Sequence, residues 1–205
     1  MIKVENISFA RGEKVILRNF SMQLATGEMV LVSGENGSGK TTLLQLIGGV
    51  LTPSSGTITL GGKKLGEISV HDQARIRAIA PARRLFTLAF TVQELLEVLP
   101  KKERVSNVDA IVAALGLTDL LERKVTELST GQQERVSVAI ALCQEADFYL
   151  LDEPFSAQDQ VNTQKMIQYL LALKSKKGIL VITHNQDALR SYFDREITLS
   201  EPLQL

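Results

Sequence analysis

Eight consecutive residues carry the clearest chemical signal of the chain, because residues 34–41 follow the pattern G-x-x-x-x-G-K-[ST]. Glycines at 34, 37 and 39 let the backbone turn tightly, so that its N–H groups can approach phosphate oxygens. Lys40 can place a positive charge at the β- and γ-phosphates, and the Thr41 hydroxyl can coordinate Mg²⁺. The pattern therefore predicts a site for a nucleoside triphosphate and magnesium.

The segments on either side of this loop have the character that the motif requires. The apolar run 29–32 predicts a buried strand, and residues 42–47 predict a helix with one apolar face. A helix that begins near Lys40 would add unpaired N–H groups and a positive dipole end to the anion site. The residues predicted to bind the nucleotide here are Gly34, Glu35, Asn36, Gly37, Ser38, Gly39, Lys40, Thr41 and Thr42.

A second group of candidate residues follows two apolar runs near the end of the chain. Asp152 and Glu153 come directly after residues 148–151, at the C-terminal end of a predicted buried strand, where ligands of open α/β sheets gather. We expect Asp152 to hold Mg²⁺ and Glu153 to orient or deprotonate a water. His184 follows the apolar run 178–183 and is a candidate γ-phosphate contact, although a lone histidine is more often structural.

Residues 128–133 offer another anion site. Ser129 and Gln132, three residues apart in front of a predicted helix, fit a capping box. The serine hydroxyl, the Gly131 N–H and the helix N-terminus could equally bind an anion, and capping does not exclude this. Two anion sites on one chain suggest that one of them serves a nucleotide bound by a second chain.

The rest of the pattern predicts an α/β core interrupted by a helical region. Near-continuous apolar strands alternate with helices, which indicates a largely parallel sheet covered on both faces. We expect a single domain, with a core at about 1–70 and 146–205 and a helical subdomain at about 71–145. Strands are predicted at 2–9, 15–17, 20–24, 29–32, 57–60, 147–151, 178–183 and 196–199. Helices are predicted at 42–47, 93–99, 108–115 (capped by Ser106 and ended by Gly116), 130–144, 159–174 and 186–192.

Composition excludes several classes of partner and location. The 23 basic and 23 acidic residues balance, so no electrostatic argument favours nucleic acid or an anionic membrane surface as the main partner. The one cysteine, Cys143, lies in an apolar helical run and is expected to be a buried thiol. No apolar run approaches 18 residues and the N-terminus lacks a signal-peptide core. We therefore expect a cytoplasmic protein, with any membrane-spanning part supplied by another chain.

Taken in chain order, these motifs resemble the nucleotide-binding domain of ABC (ATP-binding cassette) proteins. The order is a phosphate loop, a serine-glycine-glutamine signature, an apolar strand ending Asp-Glu-Pro, the run 156–159, and a histidine after a strand. The resemblance covers essentially the whole chain. It implies a P-loop NTPase fold, with a mostly parallel sheet flanked by helices, an N-terminal antiparallel β subdomain and an inserted helical subdomain.

The resemblance also implies roles for individual residues. Two such domains would face each other head to tail, as a homodimer or with a close homologue. Each ATP would lie between one phosphate loop and the other chain's signature, Ser129, Thr130, Gly131 and Gln132. Glu153 would be the catalytic carboxylate and His184 a sensor of the γ-phosphate, while Asp159 would lie at the dimer seam. The helical subdomain would meet a transmembrane partner.

Several residues depart from the pattern of this family. Arg11 stands where an aromatic side chain usually stacks on adenine, and a guanidinium could stack there instead. Ala82 stands where a glutamine is usual, which puts coupling to a partner in doubt. Thr130 and Gln158 replace a glycine and a leucine, which are milder changes.

The leading functional hypothesis is a Mg²⁺-dependent ATPase subunit that powers a separate membrane transporter from the cytoplasmic face of the membrane. Replacing Glu153 with Gln should then trap a closed, ATP-bound dimer. The alternatives are an ABC ATPase without a membrane partner that acts in protein or cofactor assembly, a chromosome-associated ATPase and a degenerate ATP binder. The chromosome-associated class is disfavoured because residues 41–128 contain no sustained heptads for a coiled-coil arm.

Overall fold

The computed structural model describes residues 1–82, 84–156, 158–184 and 188–200. The strands are β1 (Ile2–Arg11), β2 (Lys14–Leu24), β3 (Met29–Gly34), β4 (Ser55–Leu60), β5 (Lys63–Lys64), β6 (Arg77–Ala80), β7 (Phe148–Asp152), β8 (Gly178–Ile182) and β9 (Arg195–Leu199). The α-helices are α1 (Lys40–Ile47), α2 (Val70–Ile76), α3 (Val92–Leu96), α4 (Val108–Ala114), α5 (Thr130–Cys143) and α6 (Gln160–Lys174). Short 3-10 helices occupy Leu65–Glu67, Lys101–Glu103, Thr118–Leu120, Val125–Glu127 and Arg190–Tyr192.

The first sheet is antiparallel and has the strand order β2-β1-β4-β5. Two separate strands were predicted at 15–17 and 20–24, but β2 runs through both. The polar interruption is absorbed by irregular pairing with β1, since the register shifts between the pairs Ile7↔Phe20 and Phe9↔Leu17. Asn19 takes a positive φ of 47° there. The polar residues therefore mark a bulge inside one strand.

The second sheet is parallel throughout and has the order β6-β7-β8-β3-β9. Every residue of β7 and β8 is buried, as expected for strands covered on both faces. Because the strands are parallel, their C-terminal ends meet at one edge. That edge brings together the loop after β3, Asp152 at the end of β7, and the residues that follow β8.

Strand β6 lies inside the segment expected to be helical from about residue 71. It pairs with β7 from Arg77↔Phe148 to Ala80↔Leu151, so it belongs to the parallel sheet. Its short sequence, Arg-Ala-Ile-Ala, has only one β-branched residue and gives a weak strand signal. The helical region accordingly begins after Ala80, and its status as a separate subdomain stays a prediction.

Two hydrophobic clusters lie on opposite faces of the parallel sheet. Leu150 and Leu180 pack with the antiparallel sheet and α1, whereas the next residue of each strand, Leu151 or Val181, packs with the helical region. This alternation follows from the two-residue period of a strand. Helix α1, which follows the glycine loop at residues 34–39, thus packs with strands of both sheets.

Among the described residues, each α-helix after β6 except α4 begins at a residue whose side chain caps it. Thr91 and Glu94 form a capping box at the start of α3. The N-cap of α4 is Asn107, without a side-chain cap bond, so the prediction that Ser106 caps this helix is wrong. Gly116, at φ 60°, follows α4 as predicted.

The predicted helix at 186–192 lies partly outside the described residues. Within the described ranges, no helix combines the length and apolar character needed to cross a bilayer.

Candidate functional site

The loop between β3 and α1 has the backbone that its glycines allow. Gly34 has φ 142° and Gly39 has φ 98°, both in the region that L side chains rarely adopt. A Cβ at Gly34 would collide with the carbonyl oxygen of Leu199, and a Cβ at Gly39 would lie 3.0 Å from Cγ2 of Ile16. The loop is therefore pressed against the end of β9 on one side and against β2 on the other.

Lys40 holds its charge across the concave side of this loop. Its Nζ donates to the carbonyl oxygens of Gly34 at 2.7 Å and Glu35 at 2.8 Å, and the residue is only 8% exposed. The ammonium is thus already oriented by the loop, which lowers the entropy that binding an anion would cost.

Ser38 adds a buried hydroxyl to the loop. Its Oγ is buried and has no hydrogen-bond partner among the described residues. Buried polar groups in folded proteins are almost always hydrogen-bonded, so an orphan hydroxyl inside a glycine loop points to a ligand. A phosphate bound at the predicted site would supply such an acceptor.

Thr41 and Asp152 bring two oxygen ligands together at the end of the loop. Thr41 Oγ1 donates to Asp152 Oδ2 at 2.9 Å, and Asp152 is 3% exposed. Burial raises the pKa of Asp152, while hydrogen bonds from the Thr41 hydroxyl and the Ala82 backbone and the charge of Lys40 act in the opposite direction. Hard oxygen donors of this kind suit Mg²⁺.

Glu153 stands next to this pair in an unusual conformation. Its φ is 51°, a left-handed value that costs a non-glycine residue about 1 kcal/mol or more and that clusters at functional sites. Its Oε2 lies 2.9 Å from His184 Nδ1 and accepts from the His184 backbone N–H at 3.4 Å. The side chain of Glu153 is 19% exposed and that of His184 is 66% exposed. The two predicted catalytic residues are therefore in direct contact.

A cleft of about 540 Å³ joins these elements. The described residues that line it are Arg11, Lys14, Ile16, Asn36, Gly37, Gly39, Lys40, Thr41, Thr42, Ala82, Asp152 and Glu153. Six of the nine predicted nucleotide-binding loop residues, together with Arg11 and the acidic pair, therefore share one space, whereas Gly34, Glu35, Ser38 and His184 are not part of the lining. Lys14 and Ile16 were missed because they reach the cleft through pairing of β1 with β2, which places Arg11 opposite Lys14.

The predicted signature does not line this cleft in the described residues. Ser129 and Gln132 form the expected capping box at the start of α5, with the Ser129 N–H donating to Gln132 Oε1 at 2.9 Å. The return bond, from the Gln132 N–H to Ser129 Oγ, is longer at 3.4 Å. Ser129 and Thr130 are exposed, and Gly131 and Gln132 are half-buried. The signature is thus a surface feature of its own chain.

The segment after Glu153 is tied to the signature helix by contacts that the sequence did not reveal. Ser156 Oγ donates to Glu134 Oε2 and to the carbonyl oxygen of Glu153, both at 2.9 Å. Asp159 is the N-cap of α6 and accepts from the Asn162 N–H at 2.7 Å. These hydrogen bonds hold the pKa of the exposed Asp159 carboxyl below its usual value.

A family model described as ABC transporter matches residues 17–156, which is most of the chain and includes the loop, the signature and the acidic pair. The chain belongs to the ABC transporter family. Among curated relatives, it is 33% identical to the manganese transport system ATP-binding protein MntB of Bacillus subtilis, over 94% of this chain and 80% of the relative. It is 38% identical to the taurine import ATP-binding protein TauB of Pseudomonas aeruginosa, over 86% of this chain and 69% of the relative.

Solved structures agree with this family. The chain is similar to a dimeric ATP-binding cassette in a post-hydrolysis state bound to ADP and Pi, with a TM-score of 0.84 and 25% identity, over 98% of this chain and 95% of that one. This ABC chain spans 80% of the length of the manganese-system relative and 45% of the length of another curated relative. The predicted fold, the family and the identity of the chain as an ATP hydrolase and transporter ATPase subunit are confirmed. A role in assembly without a membrane partner is not favoured.

Proposed function

We propose that the cleft binds Mg²⁺-ATP and that hydrolysis is completed only when the signature of a second cassette covers it. The observation that carries this proposal is the separation of the two predicted halves. The cleft gathers the loop and the acidic pair, whereas Ser129 and its neighbours lie outside the lining and on the surface. A second copy, arranged head to tail, would supply the missing wall.

The loop side of the site would do most of its work by positioning charge. The backbone N–H groups of the loop and the N-terminus of α1 would hold the phosphates, and Lys40 would neutralise their charge. Thr41 and Asp152 would hold Mg²⁺, which supplies electrostatic stabilisation of the transferring phosphoryl group. No cluster of three or more His, Cys, Asp or Glu side chains occurs among the described residues, so this ion would need phosphate and water oxygens as well.

Glu153 would orient the attacking water and accept its proton. The contact with His184 holds the Glu153 carboxylate in place and brings the imidazole to the same end of the cleft. His184 would then contact the γ-phosphate directly or stabilise the carboxylate that faces it. Asp159, the N-cap of α6, would lie at the seam between the two cassettes.

We further propose a separate transmembrane subunit as the partner that uses this cycle, with the chain bound peripherally on the cytoplasmic face. The relatives are named as ATP-binding proteins of transport or import systems, which supports such a partner. Co-purification of a polytopic protein from membranes with the tagged chain would support this arrangement. Recovery of the chain without any membrane protein would contradict it.

Mixing two inactive variants tests whether the active site is shared between chains. Glu153→Gln removes the base, which should lower hydrolysis by about 10²–10⁴-fold and trap an ATP-bound dimer. Ser129→Arg places a bulky cation in the signature. In a mixed dimer, both defects fall in one site and the other site is intact. A 1:1 mixture should therefore regain roughly a quarter of wild-type ATPase activity, since half of the dimers are mixed and each has one working site.

The controls separate sharing from misfolding. Ser106→Arg alters another exposed serine just before a helix, one that does not cap it, and should keep wild-type activity. Both inactive variants should unfold in a single transition. The free energy of unfolding of Ser129→Arg should be lower by about 1 kcal/mol, because this variant loses the N-cap of α5. If the mixture stays as inactive as its components while mixed dimers form, each chain completes its own site and the proposal is wrong.

A further inference from the structure

The end of the cleft away from the predicted phosphate site is built from different residues. The inference drawn from it rests on the proposed nucleotide site. Asp152 and Glu153 mark the end where the γ-phosphate lies. The remaining wall comes from the hairpin of β1 and β2, through Arg11, Lys14 and Ile16. Because Ile16 contacts the loop backbone at Gly39, the hairpin continues directly from the phosphate site. A nucleoside whose phosphates occupy the loop would therefore lie against these three side chains.

The three hairpin residues that line the cleft offer that nucleoside side-chain hydrogen-bond donors and aliphatic surface. Arg11 and Lys14 are opposite each other in the β1–β2 register and both are exposed. Arg11 has no hydrogen-bond or ion-pair partner among the described residues, so its guanidinium is available to a ligand. Arginine and lysine side chains donate and cannot accept.

No aromatic ring lines the described part of the cleft. Phe9, the nearest aromatic residue along β1, packs against the core cluster beneath the antiparallel sheet. The carboxylates of the cleft are at its other end, where they face the phosphates. The 6-amino group of adenine, which is a donor, would therefore find no acceptor among the hairpin side chains that line the cleft, although Glu13 lies in the nearby turn outside this lining.

Guanine and hypoxanthine fit this wall better than adenine does. Both carry a 6-oxo group beside N7, and this pair of acceptors matches the two parallel N–H groups of an arginine fork. Adenine offers N7 alone next to its amino group. Stacking on the guanidinium plane is open to every purine.

We propose that Arg11 makes this cleft accept 6-oxopurine nucleoside triphosphates at least as well as ATP. Arg11 is then the residue that sets base preference, through bidentate contact with O6 and N7. Lys14 and Ile16 contribute a charge and an aliphatic surface that do not distinguish the purines. The chain would hydrolyse GTP and ITP in the same catalytic cycle as ATP.

Steady-state hydrolysis of ATP, GTP, ITP and CTP by the full chain with Mg²⁺ tests this proposal. We expect kcat/KM for GTP and ITP to be within about threefold of ATP or higher, and CTP to be lower. ITP lacks the 2-amino group, so equal rates with GTP would assign the contact to the 6-oxo edge. Arg11→Ala should lower kcat/KM for GTP and ITP by about 10-fold or more and for ATP by less, because one bidentate contact is lost.

Arg18→Ala is the matched control, because Arg18 is an exposed arginine on β2 outside the cleft lining. It should leave the ratio of GTP to ATP unchanged. A preference for ATP of more than about tenfold in the wild-type chain, or an unchanged ratio in Arg11→Ala, would overturn the proposal while leaving the ATPase function intact. Failure of all four triphosphates to displace a fluorescent nucleotide would overturn the nucleotide site itself and this inference with it.

Discussion

The two predicted anion sites of this ABC cassette differ in how their helices begin. Helix α1 starts after Gly39 with no side-chain cap, so its first N–H groups have no side-chain partner. Helix α5 starts after Ser129 with a complete capping box. A glycine N-cap costs a helix only about a few tenths of a kcal/mol relative to a capping side chain, so the first N–H groups of α1 stay open to an anion at little cost in stability.

This difference supports the proposal that the loop binds a nucleotide within its own chain and that the signature acts on a nucleotide bound by a second chain. The loop has a buried lysine, an orphan serine hydroxyl and uncapped N–H groups, all of which gain from a phosphate. The signature is already satisfied by its own side chains, and its weaker 3.4 Å bond to Ser129 Oγ can be exchanged at little cost. We therefore expect the signature to contact a nucleotide held by another chain but to gain too little to bind one itself.

Replacing Lys40 with Met should weaken anion binding at the loop and leave the signature unchanged. The change removes a charge-assisted contact to phosphate, worth about 1.5–3 kcal/mol, so ATP affinity should fall about 10–150-fold. Titration of a fluorescent ATP analogue measures this loss. Lys64→Met, on exposed β5, is the matched control and should bind normally. Wild-type affinity in Lys40→Met would mean that the loop is not the phosphate site.

The far end of the loop helix supplies a second test of the comparison. Arg77 is buried and donates to the carbonyl oxygens of Ile47 at 2.9 Å and Gly48 at 2.5 Å, at the C-terminus of α1. Burial lowers the pKa of this guanidinium, but a charge at the negative end of a helix is favourable. Arg77 thus joins α1 to β6, which leads to Ala82 in the cleft.

Arg77→Met should reduce the free energy of unfolding by about 1–3 kcal/mol, because two carbonyl groups lose their donor. Denaturant unfolding measures the loss. Arg75→Met changes an exposed arginine two residues earlier on α2 and should stay within about 0.5 kcal/mol of wild type. Equal effects of the two substitutions would show that Arg77 does not anchor the loop helix.

The residues predicted from sequence were those whose signal is local. The loop pattern, the acidic pair after an apolar strand and the Ser129–Gln132 box each lie within a few neighbouring residues, and the structure places each in the expected local setting. Lys14 and Ile16 join the cleft only through strand pairing, which leaves no local motif. The Ser156–Glu134 hydrogen bond likewise joins residues that are distant in sequence.

The errors have a similar origin. Strand β6 was assigned to the helical region because a four-residue strand with two alanines resembles a helix segment, and only its pairing with β7 reveals it. The α4 cap shifted by one residue, from Ser106 to Asn107, because both residue types favour caps and backbone geometry decides between them.

The smallest expected effect concerns the other end of α5, where the signature helix is buried. Desolvation raises the pKa of Cys143 to about 11, with the charge of Arg104 opposing this shift, whereas the ordinary value is 9.0. Between pH 9 and 11 the unfolded chain therefore loses this proton while the folded chain keeps it, so stability falls as pH rises. The Cys143 thiol should contribute a slope of up to about 1.4 kcal/mol per pH unit in that window and none below it.

Denaturant unfolding of wild type and Cys143→Ala at pH 8 and pH 10 isolates this contribution, since all other groups are shared. Parallel losses in the two proteins would mean that this end of the helix is open to water, and that the contrast between its exposed signature and its buried anchor is not real.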